Sequence, residues 1–98
     1  MSRDISKESA NAFEGGCNFK KSNTAVYIVE DRIYLSLHGN LIARKSLITG
    51  KLEITNAGWQ TNVTKERLNA LPNTDIRQVK GVWYLNGQAW NGEWIAVN

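Results

Sequence analysis

One cysteine, one histidine and one proline are all that this chain holds of three residue types that commonly build reactive or sharply punctuated sites. With Cys17 alone, no intramolecular disulfide can form, and neither a cysteine-based zinc site nor a paired-thiol redox motif can be assembled. Cys17 follows Gly15-Gly16 with no histidine near it in sequence, so it reads as a buried or idle thiol suited to a reducing compartment. His38 stands beside Gly39-Asn40, where a polar residue flanking a turn is expected rather than a general base. Carboxylates are few and scattered, and Glu30-Asp31 is placed to decorate a turn. There is no glycine-rich phosphate loop and no metal-ligand spacing. The expectation is a protein that binds rather than catalyses, with no cofactor and no metal.

Long apolar runs are missing as well. The start, Met1-Ser-Arg-Asp-Ile-Ser-Lys-Glu8, has no apolar stretch of the signal-peptide kind, and nothing approaches the length of a membrane-spanning helix. No membrane association is expected. The sequon Asn62-Val63-Thr64 then has no secretory route to make it a glycosylation site and is read as coincidence.

What is present is an ordinary globular composition. The 98 residues are 42% hydrophobic and 21% charged, which suits one core and one domain over residues 1–98, with a helical segment (1–16) packing on a sheet-rich remainder (24–98). Four tryptophans, three tyrosines and two phenylalanines supply large apolar areas to a small fold. The net charge of +3 is concentrated in residues 17–80, where ten basic groups face five acidic ones. That bias can steer an acidic partner, yet it falls short of a dedicated DNA-binding arm.

The fold class expected is α+β, an antiparallel hairpin-rich sheet with two short helices. Ser6 as N-cap, Glu8 in the first turn and Gly15-Gly16 as a stop predict a first helix that docks through Ala10 and Phe13. From Thr24 the apolar period becomes two, the mark of half-buried strands. Val26–Val29 and Arg32–Leu37 read as a hairpin turning at Glu30-Asp31, with Ile28 facing Ile33, Tyr27 facing Tyr34 and Val26 facing Leu35. One face is then aliphatic and the other carries tyrosines. A turn at Gly39-Asn40 would set Leu37 opposite Ile42, and one at Thr49-Gly50 would pair Leu47 with Leu52. Those two pairings conflict in parity, which predicts a bulge near Arg44-Lys45-Ser46. A second helix is expected over Thr64–Leu71, capped by Thr64, with Glu66 in its first turn, and ended by Pro72. Turns at Lys80-Gly81 and Asn86-Gly87 follow, pairing Val79 with Val82 and Ile76 with Leu85, and setting Trp83 across from Trp90. A second Asn-Gly pair, Asn91-Gly92, is too close behind for both to be regular hairpins.

A binding surface is sought where aromatic and basic side chains interleave. Tyr34, Arg44, Lys45, Trp59, Trp90 and Trp94 are the candidates, the last two because the C-terminal strands hold more tryptophan than their packing requires. The same types suit a protein hot spot or a single-stranded nucleic acid, whose bases stack on rings while cations track phosphates.

Six phrases carry a resemblance: Ser6-Lys-Glu-Ser-Ala-Asn-Ala-Phe13, Asn18-Phe-Lys-Lys-Ser-Asn-Thr24, Leu37-His-Gly-Asn-Leu-Ile-Ala43, Ile54-Thr-Asn-Ala-Gly-Trp59, Thr64-Lys-Glu-Arg-Leu-Asn-Ala-Leu-Pro72 and Trp83-Tyr-Leu-Asn-Gly87. Together they resemble small accessory proteins encoded by tailed bacteriophages. The resemblance brings no activity and no catalytic motif with it. It implies the cytoplasm of an infected bacterium and an accessory role: binding a host protein, such as a nuclease, a polymerase component or a defence factor, and inhibiting or redirecting it. A nucleic-acid-binding module is the alternative, and a minor virion component that associates through exposed strand edges is a third reading.

Overall fold

The computed structural model describes residues 2–97. Helix α1 spans Ser2–Gly15. Ser6, Ser9, Ala10 and Phe13 recur at helical spacing and are all buried, so this stripe faces the core. Ser6 is therefore not the N-cap expected from sequence. The helix begins before it, and its hydroxyl is used in tertiary hydrogen bonds described below. Gly16 ends the helix in the left-handed region (φ +72°), where the Cys17 amide returns to the Ala12 carbonyl at 2.9 Å. That is the bond pattern of a Schellman stop, which a glycine at this position permits without strain. Cys17 is exposed.

The main sheet has six antiparallel strands in the order β1 (Phe19–Lys21), β2 (Thr24–Val29), β3 (Arg32–Leu37), β4 (Asn40–Ser46), β5 (Leu52–Ile54) and a late arrival, β9 (Ile95–Ala96). The β2–β3 register is as the alternation predicted, with Ile28 opposite Ile33, Tyr27 opposite Tyr34 and Val26 opposite Leu35. The next turn differs by one residue. His38 (φ +53°) and Gly39 (φ +80°) are its two central residues, so Leu37 pairs with Asn40 and not with Ile42. Glycine takes the second central position here, as it does in Lys80-Gly81 and Asn86-Gly87, because both central residues of such a turn need positive φ.

That one-residue difference relocates the bulge. Leu35 pairs with Ala43 while Ser36 pairs with Leu41, leaving Ile42 as the extra residue and putting both Ile42 and Ala43 in the core. Beyond it the pleat is regular: Lys45 pairs with Leu52 and Arg44 with Glu53. Leu47 does not pair with Leu52. It lies with Ile48 in an exposed loop held by the Ser46 hydroxyl, which accepts from the Ile48 and Thr49 amides at 3.2 and 3.1 Å.

Helix α2 covers Asn62–Asn69 and is capped by Thr61, whose hydroxyl accepts from the Thr64 amide at 3.2 Å. Thr64 was the expected cap, but its position inside the first turn buries it instead. The helix ends before Pro72. Asn69 then imitates a strand: its amide accepts from the Ile76 nitrogen at 2.7 Å and donates to the Ile76 carbonyl at 3.1 Å. This fixes the start of a second sheet, β6 (Ile76–Val79), β7 (Val82–Leu85) and β8 (Gln88–Ala89), paired in that order with Ile76 opposite Leu85. The chain then returns to place β9 beside β5.

One continuous buried cluster joins α1 (Phe13), the main sheet (Val26, Ile33, Leu35, Leu37, Ile42, Leu52, Ile54), α2 (Leu68) and the second sheet (Trp83, Leu85, Trp90). Burying a single Phe13 side chain is worth roughly 2–3 kcal/mol, which explains how a helix of this length is held in place.

Candidate functional site

The buried apolar residues of β2, β3 and β5 alternate with outward-pointing ones, so the main sheet has a core face and an outer face. Both helices contribute to the core cluster. On the outer face, Tyr27, Tyr34, Arg44 and Glu53 stand in one cross-strand row, each opposite the next. The tyrosine rings lie 5.7 Å apart, centroid to centroid. Arg44 donates to Glu53 at 2.9 Å, and its guanidinium carbon sits 4.1 Å from the centre of the Trp94 ring. Tyr27 and Trp94 are each 38% exposed, so the row ends in open aromatic surface on both sides. Val29 adds an exposed apolar edge.

A different surface forms at the start of α2. A cleft of about 480 Å³ is walled by Leu37, Ile42, Val63 and Trp59, with His38, Asn56 and Thr61 among its polar lining. Trp59 is held there by a tight turn. Ala57 and Gly58 have positive φ, the Gly58 amide donates to the Asn56 side chain at 2.8 Å, and the Trp59 amide donates to the Asn56 carbonyl at 2.8 Å. Its indole is 58% exposed.

The six candidate residues therefore separate into four places. Tyr34, Arg44 and Trp94 share the outer face. Lys45, next to Arg44, points to the core side, where its ammonium lies 5.4 Å from the centre of the Phe13 ring. Adjacent strand residues face opposite ways, so the two charges never form a joint positive patch. Trp59 lines the separate cleft. Trp90 is not an exposed anchor. It is only 8% exposed, packs 6.2 Å from Trp83 between ring centroids, and donates its indole N–H to the Glu93 carbonyl at 2.9 Å. Two strands so short cannot bury themselves, and the paired tryptophans serve as their core.

Two residues of the outer face were not among the six candidates. Tyr27 was legible, since it occupies the same period-two row as Tyr34. Glu53 was not, because pairing it with Arg44 requires the β4–β5 register set by the wider loop over residues 47–50, in place of the two-residue Thr49-Gly50 turn read from sequence.

Among the described residues, no group of His, Cys, Asp and Glu side chains is arranged to hold a metal ion. The His38 ring nitrogen Nε2 lies 3.2 Å from the Asn23 amide. No helix among these residues is long and apolar enough to cross a membrane. What the geometry defines is a small α+β protein distinguished by an aromatic sheet face with a neutralised arginine at its centre. It is a phage protein: the chain belongs to the Kyanoviridae Gp96 protein family, of tailed cyanophages, whose model matches residues 2–97. The tailed-phage resemblance read from the sequence is thereby confirmed. No curated protein and no solved structure matches the chain.

Proposed function

We propose that this phage protein is an accessory factor that binds a host protein in the cytoplasm of the infected bacterium, through the outer sheet face, and inhibits or redirects it. The observation that carries this reading is the row Tyr27–Tyr34–Arg44–Glu53 with Trp94 over Arg44. Tyrosine, tryptophan and arginine are the residues that dominate protein interface hot spots, and here the tyrosines and the arginine are contiguous on regular strands, with Trp94 immediately before β9. Arg44 is already paired and stacked, which restrains its side chain before any partner arrives and lowers the entropy lost on binding. The same pairing counts against phosphate recognition, since the face's central cation is neutralised by Glu53. The protein acts by occupying a surface, without catalysis.

The test is affinity capture from lysate of the host bacterium, compared between the wild-type chain, Tyr34→Ala, Trp94→Ala and the distant variant Val79→Asn. The expected result is a host protein retained by wild type and Val79→Asn, lost with the two face variants, and insensitive to nuclease. Retention by both face variants overturns the surface. Loss on nuclease treatment overturns the protein partner in favour of nucleic acid.

A further inference from the structure

The cleft at the start of α2 lies apart from the outer face, and its wall holds a buried amide with one end unused. Asn56 is 2% exposed, and its Oδ1 accepts from the Gly58 amide at 2.8 Å. That bond settles which end of the side chain is which. Nδ2 is the end left over, and it donates to no group among the described residues. The amide packs on Gly92, where the lack of a Cβ leaves it room, and the side chain is part of the cleft wall. A buried donor without an acceptor is costly, so this N–H favours an incoming oxygen.

A second donor belongs to the same cleft. The Thr24 hydroxyl accepts from buried Arg67 and donates its own proton to Oδ1 of Asn23 at 2.9 Å. Asn23 therefore turns its Nδ2 toward Nε2 of His38, at 3.2 Å, and Nε2 must accept. The proton of the neutral ring then sits on Nδ1. No Asp, Glu, Lys or Arg side chain lines the cleft. Apart from these two donors, its wall is aliphatic, with the Trp59 indole and two threonines whose hydroxyls bond each other at 3.0 Å.

We propose that this cleft binds a small uncharged molecule whose flat apolar ring lies on the Trp59 indole and whose carbonyl oxygen accepts from Nδ2 of Asn56. Its volume of about 480 Å³ falls in the range of roughly 300–1,000 Å³ of small-molecule sites. The exposed indole offers a broad face for ring stacking. It is also fixed in advance, because Asn56, which supplies the donor, holds the turn carrying Trp59 through its carbonyl and its Oδ1. The two unpartnered side-chain nitrogens are both donors, which selects an acceptor. An ionised ligand would find no opposite charge in the wall to offset its desolvation.

The experiment titrates carbostyril, a neutral bicyclic aromatic lactam, into isotopically labelled protein and follows the amide NMR spectrum. Indole, which has the ring and a donor but no carbonyl, and quinaldate, which carries a carboxylate, are titrated in parallel. Saturable binding is expected for the lactam with Kd below about 1 mM, and at least about tenfold weaker binding for the other two, the effect of one lost hydrogen bond to a buried donor. The side-chain amide signals of Asn56 should shift in step with the titration, which requires no variant. Trp59→Ala should weaken lactam binding at least about tenfold, while Val79→Asn, on the second sheet, leaves it unchanged. Absence of saturable binding up to the solubility limit, indole as tight as the lactam, or quinaldate tighter than it overturns the proposal. So does a lactam that shifts other signals and leaves those of Asn56 in place, or one that binds Trp59→Ala as tightly as wild type.

Discussion

The Nε of Arg67, in α2, donates to the hydroxyl of Thr24, in β2, at 2.9 Å, and both residues are buried. The same guanidinium reaches the Ser6 hydroxyl at 2.7 Å and Glu66 at 3.1 Å, and Ser6 donates to Glu66 at 3.0 Å. One arginine thus ties α1, α2 and the sheet together. Its planar fork supplies several donors in fixed directions, which an ammonium cannot copy. Arg67→Ala is expected to cost about 2–3 kcal/mol, through lost charge-assisted hydrogen bonds and lost packing of the stem. Arg67→Lys should recover little of that loss. Urea unfolding midpoints decide it, and a lysine variant as stable as wild type would show that charge alone is required.

Gly92 and Gly87 both have φ near +90°, yet they should respond differently to a methyl group. At Gly87 nothing lies within reach of an added Cβ, whereas at Gly92 it would fall 2.2 Å from the Asn56 amide nitrogen. Gly87→Ala should cost about 1 kcal/mol from backbone strain alone, and Gly92→Ala clearly more, because Asn56 is itself buried and bonded. Thermal melts of the two single variants give the comparison.

If the outer face meets a protein, Tyr34→Ala or Trp94→Ala should each weaken the complex by about 1–2 kcal/mol, roughly tenfold in Kd, while the fold persists. Arg44→Ala should behave similarly, since removing it also frees Glu53 and uncaps Trp94. The affinity should change little between low and moderate salt. A slope of several units in log Kd against log salt would instead mark phosphate contacts.

Fluorescence separates the four tryptophans without any partner. Trp59 is the most exposed and Trp83 is 1% exposed. Acrylamide should quench a fraction of the emission that disappears in Trp59→Phe, with little change in melting temperature. Undiminished quenching in that variant would place the accessible indole elsewhere.

Local rules reached far into this fold. The β2–β3 register, the Trp83–Trp90 pairing and the helix stop at Gly16 each follow from residues a few positions apart, and all three are found. Where the reading slipped, the deciding contact was distant. Ser6 reads as a cap, but Arg67, sixty-one residues on, claims its hydroxyl. The Gly39-Asn40 turn was set one residue late, which moved the bulge, and the Thr49-Gly50 turn was read too short, because the Ser46 hydroxyl holds a wider loop there. For the candidate site, alternation along β2 and β3 put Tyr27 and Tyr34 on one face, whereas Leu37 read opposite Ile42 put Arg44 on the other, and the bulge at Ile42 is what brings Arg44 opposite Tyr34. The arrival of Trp94 there could not be read, because β9 pairs with a strand some forty residues upstream.

That last pairing also bears on the order of assembly. Joining Ile95 to Ile54 closes a loop of about forty residues, which costs roughly 3 kcal/mol if the intervening chain is disordered. Two short residue pairs cannot offset that, so α2 and the second sheet must be in place first, drawing the ends of the loop together. The strand that carries Trp94 to Arg44 is therefore expected to join last on folding and to detach first on partial unfolding. The Val97 amide, which donates to the Leu52 carbonyl at 3.0 Å, reports this directly. It should exchange its proton well before amides in the centre of β3, with Trp94 leaving Arg44 at a denaturant concentration that leaves β1–β5 and their tyrosine row intact.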